Sequence, residues 1–308
     1  MGVRMGIKSD EASNSAEVPE QLDHSEGVPT PGLLDAQLDT IASELHPERN
    51  EDTTLAFTGK EGIFGIFDGM GGHAAGDVAS REAMDYIARA TQERLTGKLS
   101  LAQIQTELGN IFDGANKRLL ELAERDPKLA GMGTTASIVK LWEGPQGERK
   151  AVIANVGDSR VYIYRAGYLE QSTLDDNVVT QEIGNGQDKQ EVRNLQHKLN
   201  NVDDPETLDV EEHELFENRN KITHYLGVPG VKPRIYAIDI QKGDKLVLTS
   251  DGIHDNLRDD EIAQIVGLSP DNKTAVESLT RASLARSQEE HPRAKADDMS
   301  AIVVEIPA

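Results

Sequence analysis

The chain has 308 residues, 37% of them hydrophobic, no cysteine, and a formal net charge of -22. That length and apolar content suffice to bury one sizeable core or two small ones, while the lack of cysteine excludes disulfides, thiolate metal sites and a cysteine nucleophile, and suits the cytoplasm. The acidity argues against nucleic acid as a direct partner, because phosphate contacts need a basic surface; no apolar run approaches the ~20 residues of a membrane span, and no apolar segment follows Arg4 and Lys8 as a secretory leader requires.

In chain order, residues 1–32 are polar and Ser-, Asn-, Pro-, Glu- and Asp-rich. They are expected to form a disordered acidic tail before one catalytic domain over 33–308. Leu34, Leu38, Ile41 and Leu45 have helical spacing, and a short strand near Ile41 fits equally well. Apolar runs at 54–57 and 63–67, parted by Gly59 and Gly62, predict a hairpin. Ala75, Ala79, Ala83, Ile87 and Ala90 share one face of a helix over 74–95, and 101–124 reads as a second helix. Gly131, Gly133 and Thr134-Thr135 lead into a strand at 136–142. Strands at 151–156 and 161–165 follow, joined by Gly157-Asp158-Ser159, with 168–173 extending the same sheet.

Residues 175–218 break this pattern. They are rich in Asp, Glu, Asn and Gln, have weak helical signals at 189–199 and 207–217, and read as an acidic flap or insertion. A solvated acidic loop is the simpler reading; a lid that sorts substrates by charge is the other. Strands at 235–240 and 246–249 then flank the turn Lys242-Gly243-Asp244. Helices at 259–266 and 272–289, the latter turning Val276, Leu279 and Ala282 inward, precede a closing strand at 301–306. Helices inserted in pairs among strands, rather than alternating with them, predict an α+β fold of packed antiparallel sheets covered by helices.

One design occurs twice. The apolar run 62–67 ends in Asp68-Gly69, and 245–250 ends in Asp251-Gly252. A strand delivers each carboxylate rigidly, and the glycine lets the backbone approach a ligand closely. Either site alone is more simply an Asp-Gly turn. Further acids stand at other strand ends: Glu51 and Asp52 before the hairpin, Asp158 after 151–156, and Asp297 before the last strand. Carboxylates meeting at one sheet edge suit Mg2+ or Mn2+. Two such ions about 3.5–4 Å apart can activate water and clamp a phosphate.

In order along the chain stand Asn50-Glu51-Asp52, Asp68-Gly69-Met70-Gly71-Gly72-His73, Gly131-Met132-Gly133-Thr134-Thr135, Asn155-Val156-Gly157-Asp158-Ser159-Arg160, Arg219-Asn220, Leu226-Gly227, Leu248-Thr249-Ser250-Asp251-Gly252 and Asp297-Asp298-Met299-Ser300. This series, over about residues 40–306, resembles the bacterial members of the metal-dependent type 2C serine/threonine protein phosphatases. The resemblance implies two packed antiparallel β-sheets flanked by helical pairs, a four-layer α-β-β-α sandwich. It implies two core Mn2+ or Mg2+ ions and a third, weaker one. Asp68 would bridge the core ions and the Gly69 carbonyl would join one of them; Asp251 and Asp297 would hold the first ion. Glu51 and Asp52 would act on the second largely through water, and Asp158 with Asp251 would hold the third. A metal-bridging hydroxide would attack phosphoserine or phosphothreonine of a protein substrate directly, the substrates being products of a serine/threonine kinase.

The chain departs from the family pattern in four places. Pro47 stands where the family has its phosphate-gripping arginine, which leaves Arg49 as the candidate phosphate contact. Met70 follows the second motif's Asp-Gly, so His73 is the candidate proton donor nearby. The family's Asp-His is Asp175-Asp176 here, and its closing Asp-Asn is Asp297-Asp298, whose added charge either tightens metal binding or is merely solvated. A non-catalytic pseudophosphatase that binds phosphoproteins would be expected to lose metal aspartates, whereas Asp68, Asp251 and Asp297 are all present. An acidic cation-binding protein without phosphatase chemistry explains the charge and not the ordered motifs.

Overall fold

The computed structural model describes residues 34–59, 62–71, 75–184 and 189–307. The expected N-terminal tail over 1–32, and His73, lie outside the described residues. In chain order the elements are β1 (Asp35–Ile41), β2 (Asp52–Phe57), β3 (Ile63–Met70), α1 (Ala75–Arg94), α2 (Leu101–Arg125), β4 (Gly133–Thr134), β5 (Ala136–Glu143), β6 (Arg149–Val156), β7 (Arg160–Arg165) and β8 (Tyr168–Gln171). There follow α3 (Val178–Gly184), α4 (Lys189–Asn201), α5 (Val210–Glu217), β9 (Arg234–Asp239), β10 (Lys245–Thr249), α6 (Asp251–His254), α7 (Asp259–Leu268), α8 (Asn272–Ser287) and β11 (Met299–Glu305).

One sheet has the order β1-β11-β10-β7-β8 and the other β2-β3-β5-β6-β9, with β4 added beside β3; these neighbouring strands all pair antiparallel. Strand alternation explains how such apolar strands are used. On β3, Phe64 and Ile66 point into the space between the sheets, where they join Val139, Ile153, Val161, Leu246, Leu248 and Ile302. Ile63 and Phe67 point the other way, into a layer with Ala79, Ala83 and Ile87 of α1 and Leu108, Ile111 and Phe112 of α2. Likewise Val247, Ala301 and Val303 pack against Ile262 and Val266 of α7 and Val276 and Leu279 of α8. A sheet covered on both faces needs apolar residues at consecutive positions, since neighbours point to opposite sides. The result is the expected helix-sheet-sheet-helix stack. Helix ends are set locally: at the start of α2 the Ser100 side chain accepts the Gln103 N–H, and the Gln103 side chain accepts the Ser100 N–H.

Three readings are resolved or changed. Of the segment 34–45, Asp35–Ile41 is a strand and 42–45 are loop and turn: β1 pairs with β11 along its whole length, and Leu34, Ala36 and Leu38 face the intersheet core. Leu34 and Leu38 are four apart, a spacing compatible with both strand and helix periods. The turn Gly157-Asp158-Ser159 does not close a hairpin: it carries the chain from the sheet of β6 to that of β7. The flap is not merely a solvated loop. Its described residues include three α-helices, with Val179, Leu199 and Phe216 buried as a small core of their own. Its first acids, Asp175 and Asp176, are buried against the body, where Asp175 pairs with Arg160 at 2.7 Å and Asp176 pairs with Arg234.

Candidate active site

Asp68 lies near the end of β3, directly opposite Asp52 on β2. Its backbone is fixed from the far side by the Gly131-to-Thr135 segment. The Asp68 N–H donates to Thr135 Oγ1 at 2.9 Å, and its carbonyl accepts from the Thr135 N–H at 2.8 Å and from Thr134 Oγ1 at 2.9 Å. Thr135 Oγ1 also meets Ser159 Oγ at 2.7 Å, which ties the Asp68 strand to the turn bearing Asp158. That turn needs Gly157: its φ is +104°, and a Cβ would lie 2.7 Å from Thr135 Cβ.

Asp251 follows β10 as the first residue of α6. Here the glycine of the Asp-Gly pair is a packing requirement, because a Cβ on Gly252 would overlap the Asp298 carbonyl oxygen. At the other Asp-Gly pair the Gly69 carbonyl lies against Gly76 of α1: a Cβ on Gly76 would stand 2.8 Å from that oxygen and 2.9 Å from the Glu51 carboxyl carbon. The two glycines thus make room for the Gly69 carbonyl and the Glu51 carboxylate beside each other. Asp297, on the approach to β11, is 33% exposed.

The acids influence one another. Burial first, then the charges of Asp251, Asp52, Asp297 and Asp158, push the Asp68 carboxyl well above its ordinary range. Burial and then Asp251 do the same to Asp158. Asp52 is raised by burial, against hydrogen bonds from the Ser250 and Ser300 hydroxyls, with Asp297 and Asp298 adding to the rise. Asp251 is pushed up to about 7, by burial ahead of Asp297 and Asp255 and in spite of Lys295. Carboxylates that repel in this way would be stabilised by a cation between them. Two buried oxygens, Asp52 Oδ2 and Asp251 Oδ1, accept no hydrogen bond, and an all-oxygen donor set with orphaned lone pairs fits a hard divalent ion. Among the described residues no three acids are yet drawn into one closed coordination set. The fit to a hard divalent ion rests on this donor chemistry and on the two orphaned oxygens, not on a ready-made ligand cluster.

Arg49 pairs with Glu51, Nη2 to Oε1 at 3.1 Å, and is 31% exposed. Three features were not found in the sequence. Lys295 places its ammonium among Asp251, Asp255 and Asp297, at 3.1 Å from Asp255 and 3.0 Å from Asp297. Burial opposes the charge on Lys295, and the three aspartates more than offset it, raising its pKa well above normal. Asp255 is held down at about 2, because Lys295 and Arg219 outweigh its burial. Asp298 is 3% exposed and is neither a metal-facing nor a solvated charge: its two oxygens accept the Ser43 N–H at 2.6 Å and the Glu51 N–H at 2.7 Å. A cleft of about 730 Å³ lined by Tyr164, Tyr168, His197 and Leu268 has none of the candidate ligands on its walls.

Comparison with known proteins gives one consistent result. The family model for protein phosphatase 2C matches residues 46–299. The chain is 32% identical over 220 residues to the serine/threonine phosphatase stp of Listeria monocytogenes, covering 70% of this chain and 77% of that protein. Its structure is similar to that of the serine/threonine phosphatase Stp1 from Staphylococcus aureus, with a TM-score of 0.70, 26% identity, and coverage of 94% of this chain and 100% of the other. It is also similar to the catalytic domain of the serine threonine protein phosphatase PstP in complex with 2 manganese ions, with a TM-score of 0.68, 24% identity, and coverage of 90% and 99%.

Proposed function

The chain belongs to the protein phosphatase 2C family and is a protein serine/threonine phosphatase, and we propose that it hydrolyses phosphoserine and phosphothreonine in proteins by direct attack of water, without a phosphoenzyme, at a centre held by its strand-end carboxylates. The observation that carries this reading is the placement of the acids: Asp52 and Asp68 stand opposite each other on β2 and β3, the Thr135–Ser159 bond ties the Asp68 strand to the turn bearing Asp158, and one ammonium, that of Lys295, touches both Asp251 and Asp297.

Asp251 and Asp297 would hold one ion, and Asp68 would be shared with a second ion beside the Gly69 carbonyl. Glu51 and Asp52 would orient that second ion's water shell, and Asp158 with Asp251 would take a third, weaker ion. The relative PstP is in complex with 2 manganese ions, and Mn2+ or Mg2+ both suit this oxygen donor set. When bound, the ions supply Lewis-acid activation of the attacking water and offset charge on the phosphate. Thr134 and Thr135 keep Asp68 in register through its backbone, and Ser250 and Ser300 orient Asp52. Arg49, beside Glu51, is the residue we assign to the substrate phosphate.

Among the described residues no helix is long and apolar enough to cross a membrane. We place the enzyme in the cytoplasm, acting in signalling on the products of a serine/threonine kinase. The test is hydrolysis of p-nitrophenyl phosphate and of a phosphoserine, phosphothreonine and phosphotyrosine peptide panel, with and without Mn2+, by wild type, Asp68→Ala and Asp251→Asn. Mn2+-dependent turnover of the first two peptide classes, lost in both variants, is expected; no Mn2+-dependent turnover in wild type overturns the reading.

A further inference from the structure

Lys295 is built into the acidic cluster. The side-chain amide of Asn256, fully buried, clamps the Lys295 backbone on both sides: the Lys295 N–H donates to Asn256 Oδ1 at 3.0 Å, and the Lys295 carbonyl accepts from Asn256 Nδ2 at 2.9 Å. Asn256 is itself anchored by a 2.8 Å bond from Nδ2 to the Gly252 carbonyl, next to Asp251. The lysine stem therefore starts from a fixed point, and its ammonium bridges Asp251 Oδ2 and Asp297 Oδ2. These are the two carboxylates assigned above to the first ion. The ammonium also touches Asp255 Oδ2, an acid with no assigned ligand role, which Arg219 faces from the other side at 4.0 Å.

We propose that Lys295 is a tethered competitor for the first metal ion: its ammonium neutralises Asp251 and Asp297, yields those oxygens when a divalent cation binds, and swings onto Asp255. The proposal rests on the metal-centre reading above. An ammonium and a divalent ion cannot share the same oxygens, since like charges at such range repel strongly in a low-dielectric site. Asp255 is already in contact, so the lysine can leave the ligands and stay paired. The side chain is 24% exposed, which leaves an open side for the swing. This arrangement sets a threshold concentration below which the enzyme keeps its internal cation, and makes Lys295 a positioning residue that acts through Asp251 and Asp297.

The test is calorimetric titration of Mn2+ into wild type, Lys295→Met, Asp255→Asn, the double variant and Asp251→Asn, with melting temperatures in EDTA and in saturating Mn2+. Lys295→Met is expected to tighten one Mn2+ event by about tenfold or more, to lower the melting temperature in EDTA, and to leave it nearly unchanged in Mn2+. Asp255→Asn is expected to weaken the same event, and most of that loss is expected to vanish in the Lys295→Met background, since Asp255 acts by holding the lysine. If Lys295→Met binds Mn2+ as wild type does, the proposal is wrong while the metal centre stands. A raised KM for phosphopeptide with unchanged Mn2+ affinity also overturns it, by giving the lysine to the phosphate. If wild type binds no Mn2+ and Asp251→Asn changes nothing, the underlying reading fails instead.

Discussion

Replacing Asp298 with asparagine restores the family's usual Asp-Asn pair, and by sequence analogy it should be harmless. The geometry predicts the opposite. Both Asp298 oxygens accept backbone N–H groups, from Ser43 at 2.6 Å and from Glu51 at 2.7 Å, and Ser43 is itself 2% exposed. Hydrogen bonds to a charged group contribute roughly 1.5–3 kcal/mol each, and a buried donor left without a partner costs about 1–3 kcal/mol. An amide keeps one acceptor and turns an NH2 toward the other N–H. One charged bond is lost, one donor is orphaned and the surviving bond becomes neutral, so Asp298→Asn should cost about 3–5 kcal/mol. At ~2–4 °C per kcal/mol for a domain near this size, that is a melting-point fall of roughly 10 °C. Because the Glu51 backbone is one of the two groups released, Mn2+ affinity should weaken as well. Chemical denaturation of both forms, in EDTA and in Mn2+, measures the effect. A variant within 1 kcal/mol of wild type would show that Asp298 is not the clamp described.

Three further outcomes are expected. Gly252→Ala should abolish Mn2+-dependent turnover and lower the melting temperature, because its Cβ would collide with the Asp298 carbonyl rather than with a movable side chain; an active, stable variant refutes this. Arg160→Met should destabilise the protein by about 3–5 kcal/mol, since it strands the buried Asp175 that accepts three hydrogen bonds from the guanidinium; a denaturation curve superposing on wild type refutes this. In EDTA, stability should fall as pH rises from about 4 toward 7. Asp52, Asp68, Asp158 and Asp251 have folded pKa values above their unfolded ones, the last at about 7, so the unfolded chain binds fewer protons over this window. Asp68→Asn should flatten that slope and Mn2+ should reverse it; a melting temperature independent of pH counts against the mutual repulsion.

What was legible in the sequence, and what was not, follows from the range of each interaction. Asp68 and Asp251 could be found because strand, carboxylate and glycine are contiguous. The strand runs around 63–67 and 246–249 were legible because sheets buried on both faces leave unbroken apolar stretches. Leu34 and Leu38 could not decide between strand and helix until β11 supplied a partner 260 or so residues away. Asp298 stood out in the sequence only as an added charge; its role as a backbone clamp was not visible, since its partners Ser43 and Glu51 are about 250 positions distant. Lys295 stood two residues before a candidate ligand, Asp297, and still gave no signal: only Asn256, 39 positions earlier, fixes where its stem begins. The flap concealed its order because a core as small as Val179, Leu199 and Phe216 leaves only a faint helical period in an acidic segment.

The candidate ligands are divided between the two sheets. Asp52 and Asp68 come from one, Asp251 and Asp297 border strands of the other, and Asp158 lies on the turn that passes between them. A cation gripped by both groups is therefore a cross-tie, and its affinity measures how well the two plates are aligned. Substitutions deep in the intersheet layer, such as Ile66→Val or Leu248→Val, touch no ligand, yet a slip of a few tenths of an ångström would reach the tie before it unfolds anything. Metal affinity should thus be the first property of this enzyme to drift as its core changes, and saturating metal should restore fold stability to such variants by mass action.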